Sequence, residues 1–326
     1  VYYASSLSGA ESSTTAIVVR NKGYNITQFY HGEIGQSTSN KLLLSGAQDN
    51  GTQFINGASS GVNSTIPIRG GDGGYSFIDK DENYVIAAYV YNNFNRYNLP
   101  YNGSRVVISE EDGKADGDGL YTGSFINPAD LDDNLDILYT NGASGASGSR
   151  SYSIARFSNI TGVSPLRVDL SNALLDGEAT VVKVSPFTTD SSKLFVGTNS
   201  GKVLKISTAN VSATWANIGT PITATGSISS IAFGDDEDEI MVTFHNYGVN
   251  SVWYTTNGGT TWANKEGNLP DIPVKAVMMN PLNNDEVIIG TGLGVWRTDN
   301  FKDASPTWKQ SYNGMSDVKV TSFSLR

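Results

Sequence analysis

The chain has 326 residues and a net charge of −10. It lacks the clustered Lys and Arg that neutralise phosphates, which excludes nucleic acid and anionic membrane surfaces as partners. With Cys 0 there is neither a disulfide framework nor a thiolate metal site, and no apolar run approaches the roughly 20 residues that insert into a bilayer as a helix.

In chain order, the opening VYYASSLSGAESSTTAIVVRNKG has no basic start, long apolar segment or cleavage pattern. It reads as a hairpin of two strands. A unit then recurs: a short apolar strand, a polar turn rich in Asn and Asp, a second apolar strand, and Gly or Asn. Its copies are YHGEIGQSTSNKLLLSGAQDNG, YSFIDKDENYVIAAYVYNN, GSFINPADLDDNLDILYTNG, VVKVSPFTTDSSKLFVGTNSG, SIAFGDDEDEIMVTFHNYG and AVMMNPLNNDEVIIGTGLG. The second strands are expected to begin near Leu42, Tyr84, Asp136, Lys193, Glu239 and Glu286. A spacing of about 40–60 residues is that of four-stranded propeller blades.

Each unit is followed by a second hairpin, written in the later copies as VLKISTANVSATW, VWYTTNGGTTW and VWRTDNFKDASPTW. Alternating Val, Ile, Tyr and Trp about a polar turn is the half-buried strand pattern. Sustained helical periodicity is absent. The final DVKVTSFSLR reads as an inner strand. The expectation is an all-β, seven-bladed β-propeller of four-stranded antiparallel blades, filling residues 1–326 as one domain. One blade is composite, built from both termini and incomplete, so the natural chain is expected to continue beyond Arg326 and before Val1.

The stretch TTNGGTTW (255–262) places Thr255, Asn257, Gly259 and Trp262 at the offsets of an Asp-box, with Asn where that pattern usually has Asp. VWRTDN followed by PTW is a looser copy, read with Asp299 and Trp308. With GAQDNGT (46–52) and GGDGGYSFID (70–79), these motifs resemble the BNR/Asp-box, sortilin-like and xyloglucanase-like propellers of exported bacterial surface proteins. Such chains often look like passengers of type IX secretion. The resemblance covers essentially the whole chain and is specific for fold rather than activity. It implies a secreted or cell-surface protein. In an Asp-box the polar side chain bonds amides of its own turn and the aromatic fills the cleft between sheets, so Thr255, Asn257, Gly259, Trp262, Asp299 and Trp308 are structural.

A propeller site is then sought on the face carrying the loops after second strands and the blade-to-blade connections. Gln48, Asp49, Asn50, Arg69, Asp72, Tyr75, Tyr89, Tyr91, Asn92, Asn93, Arg96, Asn141, Arg150, His245, Asn246 and Tyr247 are expected there. Asp49 and Asp72 fall in consecutive blades and could flank a sugar bond as acid and base. Each also suits an ordinary turn, QDNG or GGDGG. No cofactor other than calcium is suggested, at Asp112, Asp116 and Asp118 of DGKADGDG, by their oxygen-rich composition.

Three functions follow. The first is a non-enzymatic binding or adhesion module for a polysaccharide or protein. The second is a glycoside hydrolase of xyloglucanase-like type using Asp49 and Asp72. The third is a spacer or client of an export or motility apparatus, with secretion machinery as its partner.

Overall fold

The computed structural model describes residues 2–4, 17–19, 27–110, 122–146, 148–221, 226–311 and 318–326. A short hairpin, β1 (Tyr2–Ala4) with β2 (Ile17–Val19), forms a two-stranded sheet of its own. Six four-stranded antiparallel sheets follow, each paired in chain order. The first blade is β3 (Phe29–Ile34), β4 (Leu43–Ala47), β5 (Gly51–Ile55) and β6 (Ile66–Arg69). The second is β7 (Ser76–Ile78), β8 (Tyr84–Ala88), β9 (Asn93–Asn98) and β10 (Arg105–Glu110). The third is β11 (Ala129–Asp132), β12 (Ile137–Asn141), β13 (Ile154–Ser158) and β14 (Leu166–Leu170). The fourth is β15 (Ala179–Val184), β16 (Leu194–Thr198), β17 (Val203–Ser207) and β18 (Thr214–Gly219). The fifth is β19 (Ile228–Phe233), β20 (Ile240–Phe244), β21 (Val252–Thr255) and β22 (Ala263–Asn264). The sixth is β23 (Val274–Asn280), β24 (Asn283–Thr291), β25 (Gly294–Thr298) and β26 (Lys309–Ser311).

Burial explains the strand sequences. The second strands β8, β12, β16 and β20 are buried at every residue. A neighbouring blade covers each face, so runs such as YVIAA, LFVGT and IMVTF are apolar or small throughout instead of alternating. The outer strands β14 and β18 face solvent and read LRVDL and TWANIG. Five apolar clusters lie between successive blades, from the first–second interface, with Leu44, Phe54 and Val85, to the fifth–sixth, with Met241, Val274 and Trp308. The inner strands β3, β7, β11, β15, β19 and β23 surround a channel. In β3, β15, β19 and β23 the register shifts after the first residue, as a bulge does when it bends a strand.

The expected second strands begin within one residue of the observed ones in the first five blades, and three residues late in the sixth. The expected blade number is corrected: the described residues form six four-stranded blades, not seven. A blade is defined by main-chain pairing, and among the described residues the two termini form no shared sheet. Residues 318–326 lie between the sixth and first blades. Val320 N–H donates to the Thr291 carbonyl at 3.0 Å and Gly294 N–H to the Val318 carbonyl at 2.8 Å. Contact with β3 runs through hydroxyls: Gly32 N–H donates to Ser322 Oγ and Ile34 N–H to Ser324 Oγ, both at 3.2 Å.

Candidate functional site

On the loop face, Asp72 and Asp49 form one turn-locking contact. The Asp49 amide donates to Asp72 Oδ1 at 3.0 Å, and Asp49 itself adopts φ of 57°. Gly51 N–H donates to the Gly71 carbonyl at 2.6 Å, and Asn50 Nδ2 to the Gln48 carbonyl at 3.0 Å. The Gln48 amide donates to the Gln28 carbonyl. Arg69 sits 5.8 Å from the Tyr89 ring centroid, and burial holds its pKa below the usual arginine range. His245 is exposed and, through desolvation and nearby Lys275, held below the ordinary histidine value, while Tyr247 is 69% exposed. Asn246 Oδ1 accepts from Ser227 N–H at 2.7 Å.

A buried polar network joins the second, third and fourth blades at this face. Asn92 Nδ2 donates to the Asn141 carbonyl at 3.0 Å, while Asn92 Oδ1 accepts from Asn127 Nδ2 at 2.8 Å and Thr140 Oγ1 at 2.6 Å. Glu178 Oε1 then accepts from Ser124 Oγ at 2.6 Å and from Asn141 Nδ2 and Arg150 Nη1, each at 3.2 Å. Arg150 Nη2 also donates to the Gly123 carbonyl at 2.8 Å. Above the network, Tyr91 and Phe125 meet edge to face with centroids 5.8 Å apart, and Phe125 is half exposed. The Tyr91 N–H donates to the Phe125 carbonyl at 2.9 Å, which fixes the two loops to each other.

Two expected site residues lie elsewhere. Arg96 is in the middle of β9, and its Nη1 reaches the Thr161 carbonyl at 2.8 Å in the β13–β14 turn, on the opposite face. It shares a cavity there with Asp79, Tyr84 and Asp136. Tyr75 leaves the loop face for the channel and stacks on His31 at 4.8 Å. Asp112, Asp116 and Asp118 lie outside the described residues.

The turn residues hold the hairpins. In the fifth blade Asn257 Oδ1 accepts from Thr255 Oγ1 and Thr261 N–H, each at 2.9 Å, and Thr255 Oγ1 accepts from Gly259 N–H at 3.1 Å. Gly259 has φ of 89°, and a Cβ there would collide with the Ile218 carbonyl of the fourth blade. Trp262 Nε1 donates to that same carbonyl at 3.1 Å. In the sixth blade the equivalent carboxamide is Asn300, not Asp299. Asn300 Oδ1 accepts from Thr298 Oγ1 at 2.7 Å and Thr307 N–H at 2.9 Å. Asp299 instead lies 3.6 Å from exposed Lys309.

A group of titratable side chains in the channel lies outside the sites expected from the sequence. A cavity of about 400 Å³ in the channel is lined by His31 and Glu33 of β3, Asp130 and Asp132 of β11, the following Asp133, and Lys183 of β15, with Phe77 and Phe323 beside them. Lys183 Nζ is 3.1 Å from Asp130 Oδ2, which also accepts from Val184 N–H at 2.8 Å. Burial pushes Glu33 up to about 8; Lys183 opposes this while Asp130 and Asp133 reinforce it. Burial likewise lifts Asp133 to about 7, with Asp130 and Asp79 adding to it, and lowers His31 to about 4. The available signal was FYHGEI: residues two apart on a strand share a face, and His and Glu are unusual on an inner strand.

No family model matches the chain, and no curated protein matches it. Its class therefore rests on the fold, a six-bladed β-propeller.

Proposed function

We propose that this propeller is a non-catalytic binding module, exported or displayed at a bacterial cell surface, that recognises a polysaccharide or protein through its loop face. The observation carrying this reading is the Tyr91–Phe125 pair mounted on the Asn92–Asn141–Glu178–Arg150 network. A half-exposed ring held by a hydrogen-bonded, largely buried base offers flat apolar area with little ordering cost on binding. Exposed Tyr247 adds a second ring on the same face. The extracellular setting rests on the Asp-box resemblance. Asp49 and Asp72 serve their own turn contact, which favours binding over sugar hydrolysis.

The test is a glycan and surface-protein binding panel combined with a reducing-sugar assay. Phe125→Ala is expected to weaken the best ligand by about tenfold, the effect of losing one aromatic contact with its area, with an unchanged melting temperature. Sugar release abolished by Asp72→Asn would overturn the reading in favour of a hydrolase. Ligand binding indifferent to Phe125→Ala, Tyr91→Ala and Tyr247→Ala would remove the loop face as the site.

A further inference from the structure

Four carboxyl groups line the channel cavity, and two of them are tied down by several protein groups each. Asp132 accepts from Ser192 Oγ at 2.6 Å and from the Asn134 and Leu135 amides at 3.1 and 3.2 Å. Asp130 holds Lys183 and the Val184 amide. Among the described residues, Glu33 has only the Ser324 hydroxyl and Asp133 only the Lys80 amide beside it, and both share the field of a lysine already bonded to Asp130. Asp133 Oδ1 is wholly buried and has no hydrogen-bond partner among the described residues. Leaving such an acceptor unpaired costs free energy that a donor reaching it would recover.

We propose that this cavity is a binding site for a small primary amine, whose ammonium group lies between Glu33 and Asp133 and whose apolar stem lies along Phe77 and Phe323. An ammonium supplies three donors and a positive charge, and aromatic rings favour a cation with an apolar stem. A volume of about 400 Å³ is that of a small-molecule site. Among the described residues no group of three His, Cys, Asp or Glu side chains is arranged to hold a metal ion, and the lining rings suit an organic cation better. This site is independent of the loop-face reading and stands or falls separately.

Binding is coupled to proton release. Glu33 faces His31 on its own strand, Asp130 and Asp133 from the β11 side, Lys183 from β15 and the Ser324 hydroxyl from the C-terminal segment, while Asp133 also faces Asp79 and Lys80, just past β7, and Asp130. Burial keeps Glu33 and Asp133 largely protonated below their raised values of about 8 and about 7. An entering ammonium requires them ionised, so affinity rises with pH. The rise is about tenfold per pH unit for each proton released, and it levels off above those values.

Isothermal titration of 1,4-diaminobutane into the intact chain, from pH 6 to 8.5 and in two buffers of different ionisation enthalpy, tests this. Expected are affinity that rises with pH, a buffer-dependent heat reporting proton release, and a loss of about tenfold or more in Glu33→Gln and in Asp133→Asn. Asp190→Asn, an exposed acid outside the cavity lining, controls for general attraction to an acidic protein and is expected to bind as the parent does. Melting curves verify that each variant is folded, and a single variant that fails to fold leaves the other to decide. Absence of binding at pH 8.5, pH-independent binding, or equal losses in Asp190→Asn and Glu33→Gln would each overturn the proposal.

Discussion

Asn257 and Asn300 do the same work with one atom each, a carboxamide oxygen that gathers a threonine hydroxyl and a later main-chain amide into one turn. Asp299, next in sequence to Asn300, does none of it. Asn300→Ala is therefore expected to lower the unfolding free energy by about 1 kcal/mol, the net worth of such hydrogen bonds. Asp299→Ala should stay within about 0.5 kcal/mol, because its contact with Lys309 is exposed on both sides. Denaturant titration of the two variants checks this, and equal effects would refute the assignment of the turn. The offset was readable: Thr255 to Asn257 and Thr298 to Asn300 are both two residues, whereas Asp299 matches the motif only by residue type.

The elements are joined blade to blade by large side chains placed just past those turns. Trp308 is almost fully buried and donates from Nε1 to the Lys265 carbonyl at 3.0 Å, and it packs against Phe301 at 6.3 Å. Lys265 itself donates from Nζ to the Asp303 carbonyl at 2.6 Å, beneath the Tyr254 and Phe301 rings. Trp262 has the equivalent place one blade earlier but is only partly buried. Trp308→Ala should destabilise by about 3–5 kcal/mol, as large-to-small changes in a packed core do, and Trp262→Ala by clearly less. Thermal or denaturant unfolding measures both, and the reverse order would show that the fifth–sixth interface is not the tighter one. Strand content was legible here because a buried second strand such as LFVGT and an exposed outer strand such as TWANIG differ in local composition.

Among the described residues, six blades have five apolar interfaces between successive neighbours, and residues 318–326 occupy the place between the last and the first. Removing those residues takes away the hydroxyl acceptors of the Gly32 and Ile34 amides. Hydrogen exchange at these two amides should then quicken, while β12 and β16, buried between intact neighbours, keep their protection. Unchanged exchange at Gly32 and Ile34 would mean that the segment does not hold β3. The terminal strands looked like parts of a seventh blade because strand pattern is a property of a few residues, whereas membership of a sheet depends on which edge the chain meets. The same distinction governs the site. The repeating strands, their turns and the all-β class are legible in local sequence, since alternation and Asx-turn chemistry act over a handful of residues. The number of blades, and the meeting of His31, Glu33, Asp130, Asp133 and Lys183 in one cavity, come from long-range packing, because residues some 150 positions apart become neighbours only when the inner strands surround a common channel.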